Sequence, residues 1–165
     1  MEDYSVGRNL ATIYAAVVAT ITLIWNIVRS INERRGIIKL KYQMGFQMAA
    51  NSAGAVGPTI PVIILKCTNH SRNARYLEKP RIRPSKKIDG KPELFIIQLN
   101  DTQNYPHELL PGAVLEKNYF LNDMNDYLLS KLEDGDWFRF VVYDTLGKKY
   151  ETEKIKVEVI KKWIK

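Results

Sequence analysis

The stretch IKLKYQMGFQM, residues 38–48, places an apolar side chain at every second position. The apolar positions are Ile38, Leu40, Tyr42, Met44, Phe46 and Met48. The residues between them are lysine, glutamine and glycine. Because successive side chains of a strand point to opposite faces, this alternation predicts a β-strand with one buried face. A buried face needs other strands to cover it, so the stretch predicts a β domain.

Six further stretches have the composition of strands, at residues 62–68, 76–83, 94–99, 113–121, 137–143 and 150–159. Turn signals separate them, including Asp89-Gly90 and Leu110-Pro111-Gly112. A short helix, capped by Asn122 or Asp123 and ended by Gly135, interrupts the series. We therefore predict a mainly β fold over residues 37–165. Its expected form is an antiparallel immunoglobulin-like β-sandwich of about seven strands with one short helix.

The later strands also predict which side chains face the core. Residues 137–143 should bury Phe138, Phe140 and Val142, and residues 150–159 should bury Ile155, Val157 and Val159. Pro80 weakens the strand over 76–83 because proline cannot donate to a sheet, which places this strand at an edge or a bulge.

Upstream of the β domain, residues 10–28 read LATIYAAVVATITLIWNIV and contain no charged side chain. A helix of this length spans roughly 28 Å at 1.5 Å per residue, close to the thickness of a bilayer core. Tyr14 and Trp25 lie toward its two ends, where aromatic rings prefer the membrane interface. No small-x-small cleavage site follows, and the N-terminus is acidic, so we expect a retained transmembrane helix and not a signal peptide.

The charges that flank this helix predict its orientation. Arg8 is the single cation before it, whereas Arg29, Arg34 and Arg35 follow it closely. The more basic side of a membrane helix stays in the cytoplasm. We therefore expect residues 1–9 outside, residues 29–36 as a basic juxtamembrane linker, and residues 37–165 in the cytoplasm. The chain would be a single-pass protein of a bacterial inner membrane, and its single cysteine, Cys67, agrees with a reducing compartment.

Within the helix, Ala11, Ala15 and Ala19 recur every four residues. Small side chains at this spacing allow two helices to approach closely in lipid, so they form a candidate self-association stripe. The alternative is that alanine is simply common in membrane anchors.

The sequence carries no recognised catalytic motif, and we expect a protein that is not an enzyme, with no cofactor and no metal site. Cys67 and His70 could suggest a thiol and its base, but Cys67 alternates with Ile63 and Leu65 and should point into the core. The acidic turn over residues 133–136 lacks the further spaced ligands of a calcium loop.

The clearest polar feature is a basic stretch, in which residues 72–91 carry eight cations and two carboxylates. Its candidate partner-binding residues are Arg72, Arg75, Lys79, Arg81, Arg83, Lys86 and Lys87. In a strand over 76–83, Lys79, Arg81 and Arg83 would share one face, opposite Ile82. That face is either solvated, protecting an edge strand, or it meets anionic lipid, nucleic acid or an acidic protein. Few aromatic residues are interleaved with these cations, which makes nucleic acid the least favoured partner.

Residues 92–145 carry ten carboxylates and three cations, and could form a complementary surface on a second copy, which makes a homo-oligomer possible. The C-terminus, with Lys161, Lys162 and Trp163, could return to the membrane surface or fray.

These features lead to two hypotheses of function. The first is a membrane-tethered, non-enzymatic binding or sensing module that engages a protein partner at the cytoplasmic face of the bilayer. The second is a membrane effector whose helix oligomerises and perturbs the bilayer when the β domain binds its trigger. In architecture alone, the second resembles small membrane proteins of phage exclusion and bacterial antiviral defence.

Overall fold

A computed structural model describes residues 3–34, 37–50, 56–95 and 103–164, and for residues 3–11, 31–34, 49, 50 and 56 it describes only the backbone. The chain divides into two compact units, Met1–Gly36 and Ile37–Lys165. The first contains one helix, and the second is mainly β with antiparallel strand pairing throughout its described part.

Helix α1 extends over Asp3–Arg34, well beyond the apolar run at its centre. Its span Thr12–Ser30, 19 residues long, is long and apolar enough to cross a membrane. The hydroxyls of Thr20 and Thr22 donate to the carbonyls of Ala16 and Val18, each at 2.8 Å. These bonds satisfy the threonine hydroxyls within the helix itself.

The first sheet has the order β1-β2-β6. Its strands are β1 (Ile38–Ala50), β2 (Val56–Asn69) and β6 (Val114–Phe120). The alternating stretch that predicts the fold is β1, and it forms a long hairpin with β2 from Ile38↔Asn69 to Ala50↔Val56. Only the half of β2 from Val62 to Thr68 also pairs with β6. The other half of the hairpin therefore extends past the sheet.

The second sheet is centred on β7 (Trp137–Tyr143). Strand β4 (Arg81–Pro84) pairs with one edge of β7, and β8 (Lys149–Glu151) and β9 (Ile155–Lys156) pair with the other. A small third sheet joins β3 (Arg75–Leu77) to β5 (His107–Leu109).

The core lies between the first and second sheets. Phe138, Phe140 and Val142 are fully buried, which confirms the predicted inward face of this strand. The rings of Phe140 and Tyr119 lie 4.8 Å apart and connect the two sheets. Helix α2 (Leu121–Tyr127), a 3-10 turn (Leu129–Lys131) and helix α3 (Val157–Ile164) add further apolar side chains to the core.

The structure corrects the predicted last strand. Strand pairing stops at Glu151, resumes at Ile155–Lys156, and helix α3 begins at Val157. Thr152 breaks the strand because its hydroxyl accepts the backbone N–H of Phe140, at 3.0 Å. Ile155 and Val157 are buried as predicted, but Val159 is exposed because it lies on the outer side of the helix.

Other boundaries also differ from the prediction. The predicted strand over 76–83 is two strands, β3 and β4, with Pro80 between them. Strand β5 is an addition that the sequence pattern did not predict. Helix α2 begins directly after Phe120, without the side-chain cap expected from Asn122 or Asp123. Of the predicted strand over 94–99, Leu94 bridges to Ile82, and residues 96–99 lie outside the described part.

Candidate functional site

The outward side of the second sheet carries a cluster of charged side chains that pair with one another. In β4, Arg81 and Arg83 alternate with the buried Ile82, and their cross-strand neighbours in β7 are Val141 and Arg139. The structure therefore places Arg81 and Arg83 on the face opposite Ile82, as the alternation predicts. We call this surface the charged face, and it comprises Arg81, Arg83, Glu93, Phe95, Trp137, Arg139, Tyr143, Lys149, Glu151 and Lys154.

Arg81 is held by both aromatic rings and carboxylates. Its guanidinium carbon lies 4.8 Å from the ring centre of Tyr143 and 5.0 Å from that of Phe95. Its Nη2 atom donates to Glu78 at 2.9 Å, and its Nη1 atom lies 3.6 Å from Glu93. The Tyr143 hydroxyl also donates to Glu93, at 2.9 Å. Contacts on several sides fix the plane of this guanidinium.

Glu151 is the centre of a second cluster on the same face. Its carboxylate lies 2.6 Å from Arg139, 2.5 Å from Lys149 and 3.4 Å from Arg83. Hydrogen bonds from Lys149, joined by those from Arg139, outweigh partial burial and lower the pKa of Glu151. The carboxylate therefore stays ionised at neutral pH and keeps three cations in place.

Trp137 completes the face at the start of β7. Lys154 Nζ lies 4.4 Å from its ring centre, and the Arg139 guanidinium carbon lies 4.8 Å from it. Both distances fall in the range of cation–π attraction. Among the described residues, the face thus combines five cations with three carboxylates, counting Glu78, and it retains a net positive charge.

The structure does not bring the seven predicted partner-binding residues together. Arg81 and Arg83 lie on the charged face, but Lys79 lies between β3 and β4 and is half-buried. Arg72 is exposed near the turn after β2, and Lys87 is exposed on the segment after β4. Binding of a partner by these residues stays a prediction.

Lys86 lies close to Lys87 in the chain and pairs with the acidic turn. Its Nζ atom is 3.0 Å from Asp136 and 3.2 Å from Glu133. A hydrogen bond from Ser85, followed by those from the Glu133 backbone N–H and from Lys86, lowers the pKa of Asp136 to about 2. Arg81, Arg83 and Lys86 of the basic stretch thus pair with carboxylates of the same chain. Two of these carboxylates, Glu93 and Asp136, belong to the acidic block that could have served a second copy.

Arg75 is buried, which differs from the solvent-facing position expected of a partner-binding residue. Its Nη1 atom lies 4.0 Å from the buried carboxylate of Asp144. Asp144 also accepts a hydrogen bond from the Tyr150 hydroxyl at 3.0 Å, and from the backbone N–H groups of Leu146 and Lys148. This cluster joins β3 to the turn between β7 and β8, so Arg75 has a structural role.

The side chains considered for catalysis or metal binding are buried or form ion pairs. Cys67 is buried as predicted, and burial raises the pKa of its thiol to about 12, so the thiol stays protonated at neutral pH. In the acidic turn, Asp134 pairs with Lys161 at 3.0 Å, while Glu133 and Asp136 hold Lys86. Among the described residues, no three side chains of the metal-ligating types form a group.

The predicted membrane residues lie on α1. Ala15, Ala19, Tyr14, Trp25 and Arg29 are all exposed on the helix surface. The side chains of Ala11 and Arg34, and the whole of Arg35, lie outside the described part. Self-association through the alanine stripe and interface contacts by the flanking residues therefore stay predictions.

Of the charged face, only Arg81 and Arg83 were predicted from the sequence. The sequence pattern assigned the even positions of residues 137–143 to the core, but the odd ones, where Trp137, Arg139 and Tyr143 lie, were not used. The same alternation that buries Phe138 and Phe140 was the signal that could have found them. Glu93 and Glu151 could not be placed without the strand register.

Compared with known proteins, the chain matches no protein family and no curated protein sequence.

Proposed function

We propose that this chain is a membrane-anchored, non-enzymatic binding module. In this proposal α1 crosses a bacterial inner membrane once, with its N-terminus outside. The β domain, with an immunoglobulin-like arrangement of its two main sheets, projects into the cytoplasm and engages a protein partner there.

The observation that carries the proposal is the composition and order of the charged face. Arginine, tryptophan and tyrosine dominate the energetically important positions of protein interfaces. Arg81, Arg139 and Trp137 are held in place by stacking and ion pairs before any partner arrives. Side chains that are ordered in advance lose less conformational entropy on binding, which favours recognition.

The charge balance of the face supports a protein partner over nucleic acid. A nucleic-acid site needs cations that phosphates can neutralise. Here Glu93 and Glu151 already pair with most of the cations, and only a modest positive excess is left. A partner surface with a few well-placed carboxylates would complement this arrangement.

Two charge reversals on different sheets test the proposal. Arg83→Glu alters the charged face, where the Arg83 side chain is 46% exposed. Lys66→Glu is the matched control on the first sheet, because Lys66 is 37% exposed and also pairs with a glutamate, Glu116. Each substitution replaces a partly exposed strand cation that pairs with a glutamate on a different strand.

Full-length variants are crosslinked in native membranes, and the crosslinked products are compared. We expect Arg83→Glu to abolish a specific heteromeric product that Lys66→Glu leaves intact. A product that persists in Arg83→Glu would show that the partner does not use the charged face.

A further inference from the structure

Several turns meet at the end of the β domain where the chain enters it. The backbone N–H of His70 donates to the carbonyl of Ile37 at 2.8 Å, and that of Gly112 donates to Asn69 at 2.8 Å. Strand β5, which precedes residues 110–112, pairs with β3. The backbone N–H of Thr145 donates to the carbonyl of Tyr76 in β3, at 2.9 Å, which joins the turn over residues 145–148 to the same end. We call this surface the Ile37 end, defined by Ile37, residues 69–72, residues 110–112 and residues 145–148.

Apolar side chains are exposed on three separate segments of the Ile37 end. Ile37 is 58% exposed, Leu110 is 57% exposed and Leu146 is 77% exposed. Positive φ angles at Gly112 and Gly147 form the tight turns that present Leu110 and Leu146 to the surface. Apolar side chains collected at one end of a domain are typical of an interaction site.

A second group of exposed apolar residues lies elsewhere and provides a comparison. We call it the hairpin-tip patch, and it comprises Phe46, Met48, Val159 and Trp163. The rings of Phe46 and Trp163 lie 5.0 Å apart, which joins the far part of β1 to helix α3. Met48 is ten residues along β1 from Ile38, or about 33 Å at the rise of a strand.

The two apolar surfaces differ in their distance along the chain from the proposed membrane helix. Ile37 follows the end of the apolar span at Ser30 by seven positions, so the covalent chain tethers the Ile37 end to the proposed anchor. The hairpin-tip patch is further from that attachment by the length of a strand.

The charges of the Ile37 end agree with a lipid neighbour. Arg72 and Lys148 are both exposed there, and cations are attracted to the anionic lipids of a cytoplasmic leaflet. Glu108, an acidic side chain on the neighbouring strand β5, accepts a hydrogen bond from the Tyr76 hydroxyl at 3.0 Å. An apolar tip with flanking cations has the chemistry of a lipid-headgroup contact.

We propose that the Ile37 end rests on the lipid surface of the cytoplasmic leaflet, with Leu110 and Leu146 at headgroup depth. This inference rests on the membrane anchor of the proposed function and adds a lipid-contacting surface of the β domain. It leaves the charged face available to a partner.

Two added cysteines, each introduced in a separate full-length chain and labelled, test the inference. Leu146→Cys places a fluorescent label on the Ile37 end, and Met48→Cys, at a position 65% exposed, places the same label on the hairpin-tip patch. Cys67 is buried with a raised thiol pKa, so the chain without an added cysteine serves as the unlabelled control. The labelled chains are reconstituted in nanodiscs that contain phosphatidylglycerol and a quencher attached to the lipid headgroup.

We expect several-fold stronger quenching at position 146 than at position 48. Equal quenching at both positions, quenching at position 48 alone, or quenching at neither would overturn the inference while leaving the anchor intact. Failure of the chain to enter nanodiscs is scored separately, and it would contradict the anchor and this inference together.

Discussion

Phe140 is one of the core side chains through which the two main sheets of the domain contact each other. It is fully buried, 4.8 Å from the ring of Tyr119 and 6.0 Å from that of Phe138. Phe140→Ala removes these contacts and leaves a cavity, so the free energy of unfolding should fall by about 3–5 kcal/mol. Denaturant unfolding of the full chain in detergent, followed by near-UV circular dichroism, measures the change.

Tyr127→Ala is the control for this substitution, because Tyr127 is 77% exposed and its truncation should change stability by less than about 0.5 kcal/mol. A loss below about 1 kcal/mol for Phe140→Ala would show that this ring does not fill the core.

Asp136 makes stability depend on pH. Its folded pKa is about 2, below the ordinary value of 3.8, so its contribution is complete above pH 3.8. That contribution is lost as the pH falls through 2, where the folded protein also binds the proton. We expect Asp136→Asn to unfold more easily than the native chain at pH 7, and the difference to disappear near pH 2. A difference in unfolding midpoint that is the same at both pH values would contradict the assigned hydrogen bonds.

At the scale of elements, periodicity predicted β1, β2, β6 and β7 because each has one face in the core and one outside. It failed for α3, where Val157 and Val159 alternate like a strand. The spacing of Val157, Ile160 and Ile164 fits a helix equally well, and contact of these residues with the core selects the helix. Local sequence could not make that choice because the contacts are long-range.

The candidate site was predictable only in part for a similar reason. Alternation placed Arg81 and Arg83 on one face, but their partners depend on the register of β4 with β7 and of β7 with β8. Glu151 is 68 residues from Arg83 in sequence, so nothing local indicates their contact. In the sequence, Arg83 therefore belongs to an uncompensated basic stretch, and only the strand register brings Glu151 to it.

Helix α1 carries its own prediction. If Ala15 lies in a helix–helix contact, Ala15→Leu should reduce crosslinking between full-length copies while the chain stays in the membrane. The matched control is Ala16→Leu, which adds the same side chain one position away, on a neighbouring side of the helix. Equal crosslinking in the native chain and both variants would show that the alanine stripe does not mediate association and reflects only the usual composition of a membrane anchor.

A salt series separates this contact from association through the β domain. Ion pairs between exposed charges weaken as the Debye length shortens to about 3 Å at 1 M salt, whereas packing in lipid should hardly respond. Crosslinking that is insensitive to salt and lost in Ala15→Leu would support the effector hypothesis, in which the helix oligomerises. Crosslinking that is lost in salt would assign association to the charged surfaces.

At the scale of the whole molecule, the proposed function gives each of the two units a separate role. The helix has the length and polarity of an anchor, and the β domain carries an ordered face of arginine, tryptophan and carboxylate. A binding module at a membrane needs both, since the anchor confines the face to the membrane surface. The proposed function therefore requires the β domain to lie on the cytoplasmic side.

The most direct test of that claim is thiol labelling of intact bacterial cells with a membrane-impermeant maleimide. One chain carries Glu2→Cys and the other Leu146→Cys, and the buried Cys67 supplies a silent background. The account predicts labelling at position 2 in intact cells, and at position 146 only after the cells are permeabilised. Labelling at position 146 in intact cells, or recovery of the chain in the soluble fraction, would contradict it.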